Sequence, residues 1–413
     1  MPKPRVVITG AGVISSLAHN RKDLMVALLN SASAVRTMPE WADALPPDTV
    51  AAPVALDQGA VKQIDRRFRR SMGPAALFAT LAASQAVAES GLGEDVLGSG
   101  RAGCAVSSTM GSPSSIMESC MLMLNGRQDD ISAQQFFKSA AHTAAFNVAN
   151  AMGLRGVLLS PCSACSSALQ AIGAAYEQIL LGRQEVMLAG GSDEVTPAVA
   201  LTFMQLFAQA ENKNNRPPDQ ISRPFDAGRT GLVCGEGAGI VVLESLDHAV
   251  GRGARILAEV TGYATTCSGE HISQSDRHAI GRCMAAALAD AGIRPEDVDL
   301  VSAHATGTRQ GDAEEAAALR ELFGANPPVS SLKGHLGHTL GASGAIELAA
   351  VLEMLKQKII PATKNLTAVA PDCAGLDHVQ SNRPAPFSTF VKNCFAFGGV
   401  NAVLVGRSFP DQA

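Results

Sequence analysis

Short apolar runs recur along the chain, and their pattern is typical of strands that are covered on both faces. The runs are continuous rather than alternating: RVVITGAG (5–12), GVLLS (156–160), EVMLAGG (185–191), GIVVLES (239–245), VDLVSAHA (298–305) and NAVLVGR (401–407). Continuous apolar strands are typical of parallel sheets that carry helices on both faces. Helical patterns separate many of the runs, so the sequence predicts βαβ units, a mostly parallel sheet and an α/β fold.

One helical pattern is markedly less polar than the rest. It begins after Cys165 and is predicted to end at Gly182, because glycine commonly follows the last turn of a helix. Its apolar positions follow i, i+3, i+4 spacing: Ala168, Leu169, Ile172, Ala175, Tyr176, Ile179 and Leu180. We expect this helix to lie deep between two layers.

Two pairs of segments indicate an internal duplication. QAVAESGLGEDVLGSGRAGCAVSSTMG (85–111) resembles AALADAGIRPEDVDLVSAHATGT (286–308), and GEGAGIVVLES (235–245) resembles FGGVNAVLVGR (397–407). The offsets within the two pairs are similar, roughly 160 to 200 residues, as expected of a repeated α/β unit. The sequence therefore predicts two halves, residues 1–250 and 251–413, with the boundary near HAVGRGARI (248–256).

Composition narrows the function classes. The formal net charge of −5 argues against nucleic acid as the main partner, since phosphate binding requires a basic surface. No run of about 18 apolar residues and no leader-like N-terminus occurs, so we expect a cytoplasmic protein with no membrane partner. Nine cysteines without regular spacing fit reduced thiols. Gly10 and Gly12 follow a strand, but a third glycine is missing, so a tight turn is favoured over a dinucleotide loop.

The stretch PCSACSSA (161–168) places Cys162 and Cys165 three residues apart at the start of the apolar helix. A structural zinc site would need further ligands, for which HLGH (335–338) is a poor candidate; a redox pair is a second alternative. The third is a nucleophile, because free N–H groups at a helix N-terminus lower the pKa of a thiol. Cys165 is closer to the helix and is the better candidate.

An activated thiol usually requires partners from elsewhere in the fold. His304 follows a predicted buried strand in VSAHATGTRQGDAEE, and Lys333 and His338 lie around a glycine-rich turn in SSLKGHLGHTLGASGAIE. A single histidine is more often structural. Two histidines at such junctions in one half, matching a cysteine at a junction in the other, favour a Cys-His-His site.

Five motifs, in order, carry a resemblance to a known family: SACSSA, DAGRTGLVCGEGAG, HATGTRQGDAEE, LKGHLGHTLGASGAIE and NCFAFGGVNAVLV. Together they resemble the β-ketoacyl-acyl-carrier-protein synthases of the elongating type, in the thiolase superfamily, over essentially the whole chain. The resemblance implies a thiolase-like fold, in which two duplicated βαβαβαββ halves form five layers, αβαβα.

The resemblance also implies a reaction and its residues. Cys165 would accept an acyl chain as a thioester, and His304 and His338 would bind the carbonyl of a malonyl thioester. Loss of carbon dioxide gives an enolate that two imidazole N–H groups stabilise. The resulting carbanion attacks the acyl thioester, whose oxyanion would meet the backbone N–H groups of Cys165 and Phe397. The product is a 3-ketoacyl chain that is two carbons longer.

Further positions take supporting roles by resemblance. Lys333 matches the lysine of the family and Glu347 the glutamate that usually accompanies it; a supporting electrostatic role is favoured for the lysine, and satisfying a carboxylate is the alternative. Thr306 and Thr308 match hydroxyls that bind the pantetheine amides, although strand-end hydroxyls also cap local turns. No bound cofactor and no metal is implied, because the substrates are carried on the phosphopantetheine of acyl carrier protein.

The resemblance also implies which residues control substrate access and acyl-chain specificity. Phe397 matches a gating aromatic residue, and Gly398 would permit its loop to move. Met110 lies where the family lines the floor of the acyl pocket. The chain departs from the usual pattern at RTGL (229–232), at Ala305 and at His335, so chain length, and fatty acid against polyene or polyketide synthesis, stay open.

The expected partners are acyl carrier protein and a second ketosynthase-like chain. Carrier proteins of this kind are acidic, so a net-negative enzyme needs a local basic surface. VKQIDRRFRRSMG (61–73) lies at the docking segment of the family; a merely solvated helix is the alternative. Its basic residues are Lys62, Arg66, Arg67, Arg69 and Arg70. A homodimer is favoured, with a heterodimer containing a chain-length partner left open.

Two other functions are weighed against condensation. A coenzyme A-dependent thiolase usually has a second cysteine where this chain has His338. A chain-length partner subunit typically lacks the nucleophile, whereas this chain has Cys165.

Overall fold

The computed structural model describes residues 4–212 and 215–410. The strands in these ranges are β1 (Val6–Ser15), β2 (Arg36–Thr37), β3 (Val50–Ala51), β4 (Ala102–Ser107), β5 (Leu158–Leu159), β6 (Val186–Asp193), β7 (Gly237–Ser245), β8 (Ala258–Cys267), β9 (Leu300–Ser302), β10 (Pro328–Ser330), β11 (Ile359–Ile360), β12 (Asp377–His378), β13 (Arg383–Pro384), β14 (Thr389–Ala396) and β15 (Val400–Arg407).

The α-helices in the same ranges alternate with these strands over much of the chain. They are α1 (Arg21–Leu29), α2 (Gln58–Gln63), α3 (Arg66–Arg69), α4 (Pro74–Ser90), α5 (Glu94–Leu97), α6 (Pro113–Leu124), α7 (Gln134–Ser139), α8 (Thr143–Met152), α9 (Ser167–Leu180), α10 (Pro197–Gln205), α11 (Leu246–Gly251), α12 (Arg277–Ala291), α13 (Arg309–Phe323), α14 (Lys333–Leu336) and α15 (Ser343–Gln357).

The main sheet is mixed rather than mostly parallel, which corrects the expectation from the sequence. Its order is β12-β10-β9-β14-β15-β8-β1-β7-β6-β4-β5. The central strands β14, β15, β8, β1, β7 and β6 pair antiparallel with their neighbours among themselves, and the pairs towards both edges are parallel. The strand run in β1 is buried at every position although its neighbours are antiparallel, because layers cover both faces. A continuous apolar run therefore reports burial and not strand direction.

The pairing pattern repeats on the two sides of the β1–β8 contact. From β1 outwards the order is β7, β6, β4, β5, and from β8 outwards it is β15, β14, β9, β10. On each side the first two pairs are antiparallel and the next two are parallel. This repeat matches the predicted duplication. The domain boundary at residues 250 and 251 stays a prediction.

Helices form three layers around the two halves of the sheet. α9 and α15 contact each other and strands of both halves, so they form the middle layer. α4 and α8 cover one outer face, and α12 and α13 lie on the other side of the molecule. The expected thiolase-like arrangement of five layers is confirmed. As predicted, α9 is largely buried and is followed by a glycine, Gly182, with φ of 66°.

Gly10 and Gly12 lie inside β1 and allow close packing of α4. A Cβ atom at Gly12 would collide with the carbonyl oxygen of Ala82, and one at Gly10 with that of Ala86. The two glycines thus allow β1 to pack closely against α4. The tight turn expected from the sequence at this place is not what the structure has. Among the described residues, no helix is both long enough and apolar enough to cross a membrane.

Candidate active site

Cys165 lies at the junction between a tight turn and the middle-layer helix α9. The turn Ala164–Ser166 is a single 3₁₀ turn, and α9 begins at Ser167. Ala164 has φ of 48°, a left-handed conformation that non-glycine residues rarely adopt. Such strain is often found at functional sites. Cys165 itself is buried, with 6% of its surface exposed, and its side chain borders a cleft.

The structure brings both predicted histidines to this cysteine. Nε2 of His338 lies 2.9 Å from Sγ of Cys165. The rings of His304 and His338 are perpendicular, with centroids 5.2 Å apart. The three side chains come from three different segments: the α9 junction, the loop after β9, and the turn after α14. One sulfur and two imidazoles therefore face the same small volume.

The hydroxyl of Ser343 orients His338. Oγ of Ser343 lies 3.0 Å from Nδ1 of His338 and 3.2 Å from Oγ1 of Thr339. When the serine hydroxyl donates to Nδ1, the ring proton must be on Nε2, the nitrogen that faces Cys165. This assignment rests on the hydrogen-bond partners. It places an N–H donor at the sulfur.

Burial dominates the protonation of the site. It lowers the pKa of both His304 and His338 well below the usual value, with a further contribution from the positive charge of Lys333. Both imidazoles are therefore neutral near pH 7 and donate hydrogen bonds without carrying a charge. Neutral N–H donors suit the stabilisation of a developing enolate oxygen.

Burial also raises the pKa of the Cys165 thiol to about 12, although Lys333 opposes the shift. This differs from the sequence argument, which expected the helix N-terminus to lower the pKa. The reason is that Cys165 loses nearly all contact with water. The resting group is therefore a thiol, and attack on a thioester requires the proton to leave as the new bond forms.

A buried ion cluster lies behind the histidines. Nζ of Lys333 donates to Oε1 of Glu347 at 2.6 Å, as the predicted pairing of these residues requires. Nζ of Lys392 lies 2.5 Å from the other oxygen, Oε2. All three side chains are at most 2% exposed. The sequence analysis missed Lys392; the signal was a lysine in the middle of the buried strand TFVKNCFA.

Two acidic residues of α13 hold the His304 loop. Glu315 accepts the backbone N–H of His304 and of Ala305, at 2.8 and 2.7 Å. Asp312 accepts the N–H groups of Thr306 and Gly307. Both acids are buried, and the sequence analysis did not single them out. Their spacing in GDAEE carried the signal, since acidic residues at i and i+3 share one face of a helix.

The cleft that reaches the site has a volume of about 550 Å³. Thr306 and Thr308 line it, with their hydroxyls 3.1 Å from each other. Arg309 also lines it, together with four aromatic side chains: Phe203, Phe207, Phe395 and Phe397. The lining of the cleft thus includes both apolar rings and hydroxyl groups.

Phe397 and Gly398 lie in the three-residue connection between β14 and β15. Phe397 is partly buried and packs against Phe203, with ring centroids 6.1 Å apart. Gly398 and Gly399 have φ of 86° and 73°. These conformations suit glycine and allow the short loop to change its path. The gating role of Phe397 stays a prediction.

Several predicted residues lie outside the cleft in this single chain. Met110 is 43% exposed and does not line the cleft, so its place at the floor of an acyl pocket stays a prediction. Cys162 is exposed and its Sγ lies 3.4 Å from the carbonyl oxygen of Thr109. The ring nitrogens of His335 lie 2.8 and 3.0 Å from the carbonyl oxygens of Ala32 and Ala362, which indicates a structural role.

The basic segment forms two short helices, α2 and α3, away from the cleft lining. Arg67 lies over the ring of Phe68 and pairs with Asp65 at 3.4 Å. Four of the five predicted basic side chains are exposed and one, Arg69, is partly buried: the exposed set is Lys62, Arg66, Arg67 and Arg70. An exposed basic surface is present, and its carrier-docking role stays a prediction.

The ligating atoms of Cys165, His304 and His338 lie within 4.8 Å of one another. The same atoms would suit a soft metal ion, but Lys333 and Lys392 place positive charge beside them and disfavour a cation. The prediction of a site that works without a metal therefore stays the favoured one.

Comparisons with known proteins agree with this geometry. A family profile described as "Beta-ketoacyl synthase, N-terminal domain" matches residues 3–249, and one described as "Beta-ketoacyl synthase, C-terminal domain" matches residues 257–367. The 3-oxoacyl-[acyl-carrier-protein] synthase 1 of Haemophilus influenzae is 33% identical over 408 residues, covering 98% of this chain and 99% of the relative.

Solved structures give the same result. A β-ketoacyl synthase from Burkholderia phymatum superimposes with a TM-score of 0.93 at 39% identity, covering 98% of this chain and 100% of the other. A type II polyketide ketosynthase, solved in complex with its acyl carrier protein and bound to a hexaketide, gives a TM-score of 0.87 at 29% identity with coverage of 98% and 100%. The resemblance inferred from the five motifs is confirmed: the chain belongs to the β-ketoacyl synthase family.

Proposed function

We propose that this chain is a 3-oxoacyl-acyl-carrier-protein synthase, an acyltransferase that performs a decarboxylative Claisen condensation. One observation carries the proposal: the thiol of Cys165 lies 2.9 Å from Nε2 of His338, with His304 beside it, at the end of one cleft. A nucleophile and two neutral N–H donors are the groups that this chemistry requires.

In the first half-reaction, Cys165 takes an acyl chain from a carrier protein. Its sulfur attacks the thioester carbonyl, and the thiol proton is transferred to the departing phosphopantetheine thiolate, while the Nε2–H group of His338 donates a hydrogen bond to the Cys165 sulfur. The new carbon–sulfur bond replaces the bond to phosphopantetheine. We place the oxyanion of this step at the backbone N–H groups of Cys165 and Phe397, as the resemblance implies.

In the second half-reaction, a malonyl thioester occupies the space between the two imidazoles. Cleavage of the carbon–carbon bond to its carboxylate releases carbon dioxide and leaves the bonding electron pair in an enolate. The N–H groups of His304 and His338 donate to the enolate oxygen. The enolate carbon then attacks the acyl thioester of Cys165, and the sulfur leaves as a thiolate that takes up a proton from water to restore the resting thiol. The product is a 3-ketoacyl-carrier thioester extended by two carbons.

The substrate arm approaches through the cleft. Thr306 and Thr308 present their hydroxyls where phosphopantetheine amides would pass, and Phe397 lines the same cleft. Since phosphopantetheine is part of the substrate, the reaction requires no bound cofactor. We propose that the loop of Phe397, Gly398 and Gly399 admits the second substrate.

We propose acyl carrier protein as the main partner, with the exposed basic side chains of α2 and α3 steering an acidic surface. The related polyketide ketosynthase was solved with such a protein. This basic surface lies outside the cleft lining of its own chain. The proposed compartment is the cytoplasm, where the carrier-borne substrates are expected.

We propose a dimer formed through the face of α6, α7 and β5. β5 ends the main sheet and therefore has an unpaired edge. Large apolar side chains are exposed nearby on α6 and α7, among them Met121, Leu124, Phe136 and Phe137. A second chain covering this face would bury them. In a homodimer, a second copy of the chain covers this face. In a heterodimer, a chain-length partner covers the same face.

The geometry weighs against both alternative functions. In a coenzyme A-dependent thiolase, a second cysteine usually takes the place that His338 has here. A chain-length partner has no use for a nucleophile, whereas Cys165 is present, oriented and accessible from the cleft. Condensation accounts for all three side chains.

Mass spectrometry tests the proposal directly. Purified protein is incubated with a panel of acyl-carrier thioesters, and the covalent adduct is measured for wild type, Cys165→Ala and the matched control Cys162→Ala. We expect the adduct in wild type and in the control, and its loss in Cys165→Ala. An undiminished adduct in Cys165→Ala would remove this residue as the nucleophile. Release of carbon dioxide from malonyl-carrier, measured with His338→Ala, tests the second half-reaction: undiminished release refutes the role of His338.

A further inference from the structure

Lys392 is a buried lysine that the sequence analysis did not assign. It lies in β14, and its side chain is fully buried. An unpaired ammonium group in such a place would be strongly destabilising, so its partners indicate what it does. Those partners connect it to Glu347 and to the backbone that leads to His304.

The ammonium group of Lys392 holds the backbone that leads to His304. Besides Oε2 of Glu347, it lies 2.8 Å from the carbonyl oxygen of Asn393. It also lies 3.3 and 3.4 Å from the carbonyl oxygens of Ser302 and Ala303, and Ala303 directly precedes His304. The same loop is held from its N–H side by Glu315. At the end of β9, Lys392 therefore binds backbone carbonyl oxygens, and Glu315 binds the backbone N–H groups that follow them.

Several charged or titratable groups lie in and around the site of the two imidazoles, and they come from different elements. The set consists of Lys333, Lys392, Glu347, Glu315, Asp312, Cys165, Cys394 and, at the cleft, Arg309. Glu347 is shared between two lysines, and Glu315 faces the His304 backbone. Lys333 is the positive charge already assigned to the site, and Lys392 adds a second one on the opposite side of Glu347.

We propose that Lys392 is a positioning residue for decarboxylation: it fixes the His304 loop and supplies a buried positive charge that, together with burial and Lys333, keeps both imidazoles neutral. The inference rests on the proposed function. A protonated imidazole would pair with the malonyl carboxylate and stabilise the charge that must move into the enolate, which would slow the loss of carbon dioxide. Burial is the largest cause of the lowered pKa of both histidines, and the positive charges of Lys333 and then Lys392 act in the same direction.

The test separates charge from hydrogen bonding. Lys392→Met removes both, and Lys392→Gln keeps a hydrogen-bond donor but removes the charge. Lys356→Met, at an exposed lysine near the end of α15, is the matched control. Carbon dioxide release from malonyl-carrier is measured between pH 5 and pH 8. Acylation of Cys165 is measured separately by mass spectrometry.

We expect both Lys392 variants to slow carbon dioxide release about tenfold and to move its acid limb to higher pH by about one unit. The sign follows from the charge: without Lys392, protonation of the imidazoles becomes easier and sets in at higher pH. Lys356→Met should leave rate and profile unchanged. Lys392 variants with the wild-type rate and pH profile of carbon dioxide release overturn the proposal. Slower release with an unmoved acid limb also overturns it, because a purely structural role of Lys392 predicts a slower rate without a change in pH dependence.

A second measurement does not depend on the variants folding or on activity. The ring nitrogens of His304 and His338 in wild-type protein are followed by ¹⁵N NMR, with assignments from His304→Ala and His338→Ala. We expect both rings to stay neutral down to about pH 5.5. Protonation of either ring near pH 6.5 overturns the inference. If wild type releases no carbon dioxide at all, the proposed function fails instead, whatever the NMR result for the histidines.

Discussion

The hydroxyl of Ser343 gives the sharpest prediction about how the site is oriented. Ser343 is fully buried at the start of α15, and its Oγ lies 3.0 Å from Nδ1 of His338. Ser343→Ala removes this partner and leaves a buried ring nitrogen unpaired. The proton of the neutral ring is then free to sit on either nitrogen, so Nε2 no longer presents a donor at all times.

The size of the effect follows from the burial. A buried polar group that loses its partner costs about 1–3 kcal/mol. Because His338 is needed as a donor in the transition state, this cost appears as a slower reaction of about 5- to 150-fold. The assay is carbon dioxide release from malonyl-carrier at saturating substrate, together with the unfolding midpoint in urea.

Ser330→Ala is the matched control, since Ser330 is also buried and donates to the carbonyl oxygen of Pro361 at 3.0 Å. It loses a comparable hydrogen bond outside the catalytic contacts. We expect both variants to lose some stability and only Ser343→Ala to lose this much activity. Equal rates in the two variants would refute the claim that Ser343 sets the ring tautomer.

Three further predictions concern charge and packing. Burial alone would raise the pKa of Asp226, but hydrogen bonds from an arginine and from backbone N–H groups lower it to about 2. In urea unfolding at pH 7, Asp226→Asn should therefore lose about 2 kcal/mol of unfolding free energy. This loss should disappear as the pH falls from about 4 towards 2, where the carboxylate of the wild type becomes protonated. Gly173→Ala should destabilise by about 1–3 kcal/mol in urea, because its Cβ would collide with the ring of Tyr263; unchanged stability would show that the ring can move. Lys333→Met should slow alkylation of Cys165 by iodoacetamide at pH 8, because Lys333 lowers the thiol pKa; peptide mass spectrometry measures the adduct, and equal or faster labelling contradicts this.

The duplication and most strands could be predicted from the sequence because their signals are local. Each apolar run coincides with a strand, although GVLLS contains only the two-residue strand β5. Strand direction could not be predicted in the same way. Directions in the central sheet depend on which runs become neighbours, and β1 and β7 are as apolar as parallel strands while pairing antiparallel.

The sequence predicts the site residues that lie where a strand or helix begins or ends, but not the properties that depend on burial in the folded chain. Cys165 and the two histidines lie at element ends, which composition and glycine spacing reveal. The thiol pKa was predicted in the wrong direction, because the sequence shows the helix start but not the 6% exposure that dominates it. Lys392 was missed for a related reason: its partners lie about 45 and 90 residues away and meet only in the folded chain.

The turn that carries Cys165 is fastened to both ends of the hairpin loop of the other half. Oγ of Ser166 lies 3.0 Å from the carbonyl oxygen of Cys394 and 3.1 Å from that of Val400, the residues that flank the Phe397 segment. Because the Ser166 hydroxyl contacts both ends, a movement of the predicted gating loop would be confined to the residues between Cys394 and Val400. Such a movement would leave the turn that carries Cys165 in place, so an acyl chain bound to its sulfur would keep its position.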